Sequence, residues 1–371
     1  MAQTCDVVVI GGGIAGVSLG YHLAADRGVV VLDAEPMLAS HSTGRSAATY
    51  LTSYGPSPVR KLTVASRARF TELAARFDQP DPLSPLPAVW AATDDESDAA
   101  ASRLLAECTD ELRLLDARAA LELAPVLDPD VLRYGVCEEN SDTIDVLAVH
   151  QAYLRGFRER GGQVRTEAPV DGLARNGTGW RVRAGDAEFD CALVVNAAGA
   201  WADRISALAG LPEIGFVPKR RTLFTSPPGA DSGWPETDAV VADAADRWYA
   251  KHEGPNVLAS PADAEPCEPC DARADELGIA RAIEDINAAT RLRLRTVYTS
   301  WGGLRTFSPD GVPVVGELAE FPGFAYFAGQ GGYGIQMGPA LASLGHAVLT
   351  GQEVPADIPV APEELSPARF G

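Results

Sequence analysis

Lysine is almost missing from this 371-residue chain: Lys61, Lys219 and Lys251 are the only three, and arginine carries nearly all the positive charge. Thirty-one basic residues against 51 acidic ones leave a formal net charge of −20. So acidic a surface argues against nucleic acid and anionic membranes as partners. No stretch approaches 18 consecutive apolar residues, so no membrane span is expected. The apolar run at 7–10 is too short for a secretory signal, and the expected location is cytoplasmic. The six cysteines are scattered, apart from Cys267-Glu-Pro-Cys270. That pair has no second pair to complete a zinc site, and the carboxylates around it oppose thiolate formation, so it reads as a loop. Internal repeats and long low-complexity tracts are absent too. What remains is 46 % hydrophobic and long enough for two domains with buried cores.

The most informative stretch lies at the start. Asp6-Val7-Val8-Val9-Ile10 runs into Gly11-Gly12-Gly13-Ile14-Ala15-Gly16, and Val29-Val30-Val31-Leu32 then closes on Asp33. This reads as strand, tight turn, helix, strand and terminal acid, the pattern of a dinucleotide-binding unit. Gly11 permits the turn. Gly13 removes a side chain where backbone N–H groups must approach a pyrophosphate. Gly16, with Gly20 one turn on, lets the helix lie against the sheet. The helix N-terminus favours an anion, and Asp33 is placed to accept ribose hydroxyls.

Further along, His41–Ala48 is small and polar, with loop character. Helical patterns cover about 58–77, 98–124 (an amphipathic pair) and 145–160. Ala192-Leu193-Val194-Val195-Asn196-Ala197-Ala198-Gly199 is a second buried strand entering a glycine turn. Residues 238–261 hold short strand-like pieces. Phe324–Ala328 is a late strand followed by glycines, and a helix is expected from Tyr333 to Leu349. Nucleotide-domain signals thus recur at the start, middle and end. The expected architecture is α/β: a discontinuous dinucleotide-binding domain (1–80, 145–216 and 305–371) with an inserted α+β substrate domain on an antiparallel sheet (81–144 and 217–304).

The opening unit, His41–Ala48, Val194–Trp201, Gly303–Gly311 and Gly329–Gln336 resemble, in order and spacing, the glycine oxidase and D-amino acid oxidase family of flavoenzymes. The resemblance covers nearly the whole chain. Within that family it is similar to the bacterial D-arginine dehydrogenases, through residues 41–48, Pro218-Lys219-Arg220-Arg221 and Gln330–Gln336. It implies a glutathione-reductase-type fold and non-covalent FAD, since Gly303 stands where sarcosine oxidases carry a flavin-linking cysteine. The implied cofactor contacts begin with Gly11, Gly13, Ile14, Ala15, Gly16, Asp33 and Ala34. They continue through the loop Ser42, Thr43, Gly44, Arg45, Ser46, Ala47 and Ala48, with Ser42, Thr43 and Arg45 able to bind phosphate or ring oxygens. Val170 would meet adenine. Ala198, Gly199, Trp201, Gly303 and Arg305 follow, then Gly331, Gly332, Tyr333, Gly334, Ile335 and Gln336. There a helix N-terminus beginning near Gly332–Tyr333 would face the flavin pyrimidine and stabilise its reduced, anionic form.

The resemblance also implies a substrate carboxylate gripped by Arg221 and Arg305, with Tyr249 and the lid residue Tyr54 beside them and Gly332 and Gln336 completing the reacting end. A guanidinium fork holds a carboxylate bidentately. On a strand, Arg220 and Arg221 point to opposite faces, so only one enters a cleft. The D-arginine dehydrogenases pair the substrate guanidinium with a glutamate; that position here is Ala88, and Thr49 and Leu51 replace two further polar residues. With Trp90, these changes predict an apolar pocket and a preference for neutral D-amino acids over D-arginine. Leu258 stands where oxidase members carry a lysine that promotes reaction with oxygen, and Lys251 is off that register, which favours a dehydrogenase. The implied chemistry is hydride transfer from Cα to flavin N5, then hydrolysis of the imino acid to a 2-oxo acid and ammonia. The electron acceptor would be a quinone or another oxidant, and the protein a monomer or homodimer. A glycine- or sarcosine-like amine, a 2-hydroxy acid, a pyridine-nucleotide dehydrogenase and a partner-dependent flavin subunit are the alternatives.

Overall fold

Val7–Ile10 and Val29–Leu32 are buried at every position, as expected of strands covered on both faces. In the computed structural model, which describes residues 2–108, 111–234 and 236–371, they pair in parallel and in register, Val7 with Val29 through Ile10 with Leu32. Residues 1, 109, 110 and 235 lie outside that description, 109 and 110 within the expected 98–124 helical pair. A six-stranded sheet grows around this nucleus. Its order is 163–165, 29–32, 7–10, 193–196, 324–328 and 314–317, and only the last strand is antiparallel.

Side-chain alternation splits the central strands between two cores. Val7 and Val9 face the helices Ile14–Leu23, Ser57–Arg76, Val146–Glu159 and Gly338–Thr350. Val8 and Ile10 face Trp180, Val182 and Phe189 of a four-stranded sheet ordered 3–4, 187–191, 179–184 and 170–176. The result is three layers. Asp145 caps its helix by accepting from the Ala148 N–H at 2.8 Å, which sets the start of that element.

A second sheet has nine strands, ordered 330–331, 299–307, 217–226, 256–260, 249–253, 240–243, 88–92, 134–138 and 113–116. It is antiparallel except where 240–243 runs parallel to 88–92. Its outer face packs Val89, Phe224, Val241, Ala250 and Val257 against Ile279, Ala282 and Ile286 of the helix Glu276–Ala289. Its inner face looks toward the parallel sheet. The expected junction between 304 and 305 falls inside the strand Thr299–Phe307, which pairs with Val217–Ser226 over nine positions.

Two elements differ from the sequence reading. The stretch 98–124 holds the helices Asp95–Glu107 and Ala117–Leu123 with a strand, Arg113–Asp116, between them. That strand hydrogen-bonds to 134–138, so a long-range partner overrides the local helical pattern. The last helix begins at Gly338 and not at Gly332–Tyr333. Residues 330–331 are held as a strand by 306–307, and the chain needs 332–337 to turn back.

Gly16 is where the first helix meets the turn. A Cβ there would lie 1.8 Å from the Gly11 carbonyl oxygen, whereas one at Gly20 would make ordinary contacts at 3.5 Å. Gly16→Ala is therefore expected to lower stability by about 3 kcal/mol through overpacking, read as a lower denaturation midpoint, with Gly20→Ala near the parent value. Equal midpoints for the two variants would contradict this packing.

Candidate functional site

The carboxyl ends of 7–10, 29–32, 193–196 and 324–328 all open onto one cavity of about 570 Å³, the place where open α/β sheets bind ligands. The inner face of the nine-stranded sheet supplies its opposite wall through Trp90, Arg221, Val240, Tyr249 and Arg305.

At the glycine end, Gly11 takes a φ of +110°, which an L side chain resists. The Ile14 N–H, in the first turn of the helix, donates to Thr43 Oγ1 at 3.0 Å. That leaves the Thr43 hydroxyl hydrogen free to donate to an anion. Asp33 accepts from the Gly12 N–H at 2.6 Å and the Glu35 N–H at 2.9 Å, and burial pushes its carboxyl up. Each of its oxygens keeps a lone pair for a hydroxyl. Ala34 and Val170 line the same end. Glu35 and His41, which sequence reasoning did not single out, also line it; His41 Nε2 meets Glu35 at 3.0 Å and its ring lies 4.7 Å from Trp201. A Cβ at Gly12 would strike Leu38 and Asp33, so this cradle is open only to backbone. The donor set and the cradle fit the adenosine diphosphate half of FAD.

The loop 39–48 is tied to the opposite sheet. Arg45 donates from Nε to the Ser40 carbonyl and from Nη1 to the carbonyls of Ala272 and Gly302, and Nη2 pairs with Asp271. Ser42 Oγ donates to the Leu304 carbonyl. Both were expected to reach phosphate or ring oxygens. The Arg45 guanidinium is instead committed to protein acceptors, and its role is to strap the loop. Ala48 sits at φ +58°, and its carbonyl accepts from the Ile144 N–H, Thr143 Oγ1 and Lys251 Nζ, at 3.0, 3.0 and 3.4 Å. Lys251 pairs across the ladder with Leu258, so the lysine that looked out of register in sequence lies directly beside that position, behind the loop.

At the substrate end, Arg221 and Arg305 project from neighbouring strands. Arg221 faces Gly303 across the ladder, two residues from Arg305, which makes the two arginines diagonal neighbours on one face. They share an acceptor: Arg221 Nε reaches the Asp263 carbonyl at 2.8 Å and Arg305 Nη2 reaches it at 3.3 Å. Arg305 Nη1 donates to the Tyr54 hydroxyl at 3.0 Å. Arg221 Nη2 and Arg305 Nε are buried without a partner among the described residues. Orphaned buried donors are costly and mark a place for an acceptor. Arg220 points away and pairs with Asp263 and Asp275. The Asp263 carboxylate in turn takes the Thr222 N–H and hydroxyl, fixing the carbonyl between the arginines.

The loop carrying Tyr54 is pinned twice. Buried Glu138 accepts from the N–H and hydroxyl groups of Thr52 and Ser53. Gln336 uses its amide on both backbone groups of Leu51 and on Thr63. Gln336 therefore positions this loop, where sequence reasoning had placed it at the reacting end. Tyr249 lies under Arg221, its ring centroid 5.7 Å from the guanidinium carbon.

Of the residues expected at the site, Gly13, Ile14, Ala15, Ser46, Ala47, Ala198, Gly199, Gly303, Gly331, Gly332, Gly334 and Ile335 line the cavity with those already placed. Gly16, Gly44 and Tyr333 do not. Gly16 packs on the turn, a Cβ at Gly44 would lie 2.5 Å from the Ala39 carbonyl oxygen, and Tyr333 packs edge-on against Tyr54 and Phe307. With the helix starting at Gly338, residues 332–337 present turn backbone to the cavity and not a helix end. Asp246 was also missed. It lines the same cavity, and no motif contains it. The Cys267–Cys270 segment is irregular chain, Cys267 half-buried and Cys270 exposed.

The pattern of the family described as FAD dependent oxidoreductase (DAO) matches residues 6–345. The chain is 26 % identical to human mitochondrial dimethylglycine dehydrogenase over 390 residues, 99 % of this chain and 44 % of that protein. It therefore spans less than half the length of that relative. It is also 26 % identical to the glycine oxidase of Pseudomonas putida over 381 residues, 96 % of this chain and 98 % of the oxidase. Its backbone is similar to that of L-proline dehydrogenase from P. horikoshii, with a TM-score of 0.85 over 100 % of this chain and 98 % of the other at 19 % identity. Among the described residues, no helix is long and apolar enough to cross a membrane.

Lys251 gives the site a measurable pH signature. Burial pushes its ammonium from the ordinary 10.5 down to about 8. The unfolded chain thus holds this proton more tightly than the folded one. The charge destabilises the fold below pH 8, and the penalty fades as pH rises from 8 to 10.5. Lys251→Met is expected to melt higher than the parent at pH 7, by about 2 kcal/mol of stability, with the gap closing toward pH 10.5. A gap that does not vary with pH would contradict the assignment.

Proposed function

This chain belongs to the family of FAD-dependent oxidoreductases, and from that premise we propose that it oxidises an amine bearing one carboxylate, foremost D-amino acids with neutral side chains. The observation that carries this reading is the pair Arg221–Arg305. Two guanidiniums hang from one carbonyl, and each keeps a buried, unpartnered N–H. A substrate carboxylate meets that demand with charge-assisted hydrogen bonds. Beyond the arginines the wall is Leu51, Ala88, Trp90, Leu223, Val240 and Ala242, which suits an apolar side chain and offers a guanidinium no partner.

FAD, bound without a covalent link in this reading, supplies the hydride acceptor. No cysteine is among the described residues that line the cavity. The protein's own part is orientation: the arginines and Tyr54 fix the carboxylate, and the closed apolar wall excludes water. Products would be a 2-oxo acid and ammonia. We favour a dehydrogenase passing electrons to a quinone or similar acceptor. A buried lysine beside the flavin loop favours an oxidase as the second reading, but Lys251 does not line the cavity.

Anaerobic bleaching of the flavin by a panel of D- and L-amino acids, N-methylglycines and 2-hydroxy acids tests the reading. Neutral D-amino acids are expected to bleach it fastest, with D-arginine at least tenfold slower. Arg305→Met and Arg221→Met should each lower kcat/KM at least a hundredfold, the loss of a charge-assisted pair in a desolvated site. Unchanged turnover in both variants would remove the carboxylate assignment. Peroxide formed in air at the anaerobic reduction rate would move the protein to the oxidases.

A further inference from the structure

Asp246 stands at the tip of the hairpin between Val240–Asp243 and Tyr249–Glu253. The hairpin is rigid. Asp243 is buried and accepts from the Ala245 N–H, the Arg247 N–H and the Arg247 guanidinium, and Arg247 also pairs with Asp94. Within this frame the Asp246 backbone takes a φ of +58°. Such a conformation is uncommon outside glycine and asparagine-like residues and persists only where the surroundings impose it. The frame turns the Asp246 side chain onto the cavity.

There the carboxylate makes no hydrogen bond and no ion pair within 4 Å among the described residues. It lies within electrostatic reach of both Arg221 and Arg305; desolvation is the larger influence and pushes its carboxyl up, and the two arginines oppose that shift, while the residue itself is exposed to the open cavity. Tyr54, Tyr249 and Tyr333 are the other titratable groups of this cluster. Asp33 and Glu35 also line the cavity but belong to its glycine end. Asp246 is thus the acid at the substrate end, and it leaves the arginine pair with one net positive charge.

We propose that Asp246 is a specificity residue that restricts the arginine pair to ligands with a single carboxylate and disfavours those with two. The proposal rests on the reading of Arg221 and Arg305 as the carboxylate site. One carboxylate neutralises the pair. A second would face Asp246 across a cavity of low polarity, where like charges repel strongly. A zwitterionic amino acid escapes the penalty, because its ammonium offsets the extra repulsion.

The test is equilibrium binding to the holoenzyme, read by perturbation of the flavin absorbance. The ligands are propionate and malonate. Asp246→Asn is the variant, and asparagine accepts positive φ readily, so the hairpin is kept. A melting temperature at the parent value checks this, with Asp246→Gly as the second variant for the same backbone. Malonate is expected to bind Asp246→Asn about tenfold more tightly than the parent and propionate about threefold more tightly. Equal factors for malonate and propionate, or weaker binding of both, would overturn the proposal while leaving the carboxylate site in place. If neither acid perturbs the parent flavin, the carboxylate site falls and the proposal with it.

Discussion

One carbonyl oxygen, that of Asp263, organises the reacting end of this molecule. It accepts from Arg221 and Arg305 together, so two cations that would repel each other are held on a shared dipole. The same residue's carboxylate grips Thr222 and Arg220. A single residue therefore fixes both inward arginines, the outward Arg220 and the strand 217–226 that carries two of the three. Because Arg305 also carries Tyr54, the geometry set at Asp263 extends to the loop on the far side of the cavity. Pre-organised donors of this kind can meet an anion without rearrangement.

Around that point the structure ties two sheets together through polar contacts. The loop 39–48 leaves the parallel sheet and is bonded through Arg45 and Ser42 to residues 271–272, 302 and 304. The loop 49–54 is bonded through Gln336 and Glu138 to the last glycine segment and to the strand 134–138. The cavity is the space these straps leave between the carboxyl ends of the parallel strands and the inner face of the second sheet.

Much of this was legible in the residues. The parallel strands announce themselves as unbroken apolar runs, Val7–Ile10 and Leu193–Val195, because both faces are buried. The parity of a strand separates Arg220 from Arg221 with no knowledge of the fold. What escaped shares one cause. Asp246, Asp263, Glu138 and the Lys251–Leu258 neighbourhood depend on which strands pair and on how a hairpin turns, and neither is encoded within a local window. Arg113–Asp116 became a strand because 134–138 was available to it. The start of the last helix moved from 332 to 338 for a similar reason, since Phe307 and Thr306 claim 330–331 as a strand. Arg45 illustrates the remaining gap: its motif placed it at the cofactor, and three of its four acceptors, the carbonyls of Ala272 and Gly302 and the Asp271 carboxylate, are more than 200 residues away in sequence.

The strap at Arg45 has a kinetic meaning as well. The loop 39–48 lines the cavity beside Gly11–Gly13, and it is bonded at four acceptors to the segment 271–272 and the strand 299–307. Loosening of this loop would require these bonds to break together, a local unfolding event. A cofactor held in this cavity would then be retained for as long as the loop stays bonded to residues 271–304, so mutations there would alter the lifetime of the holoenzyme without touching a single atom of the cofactor.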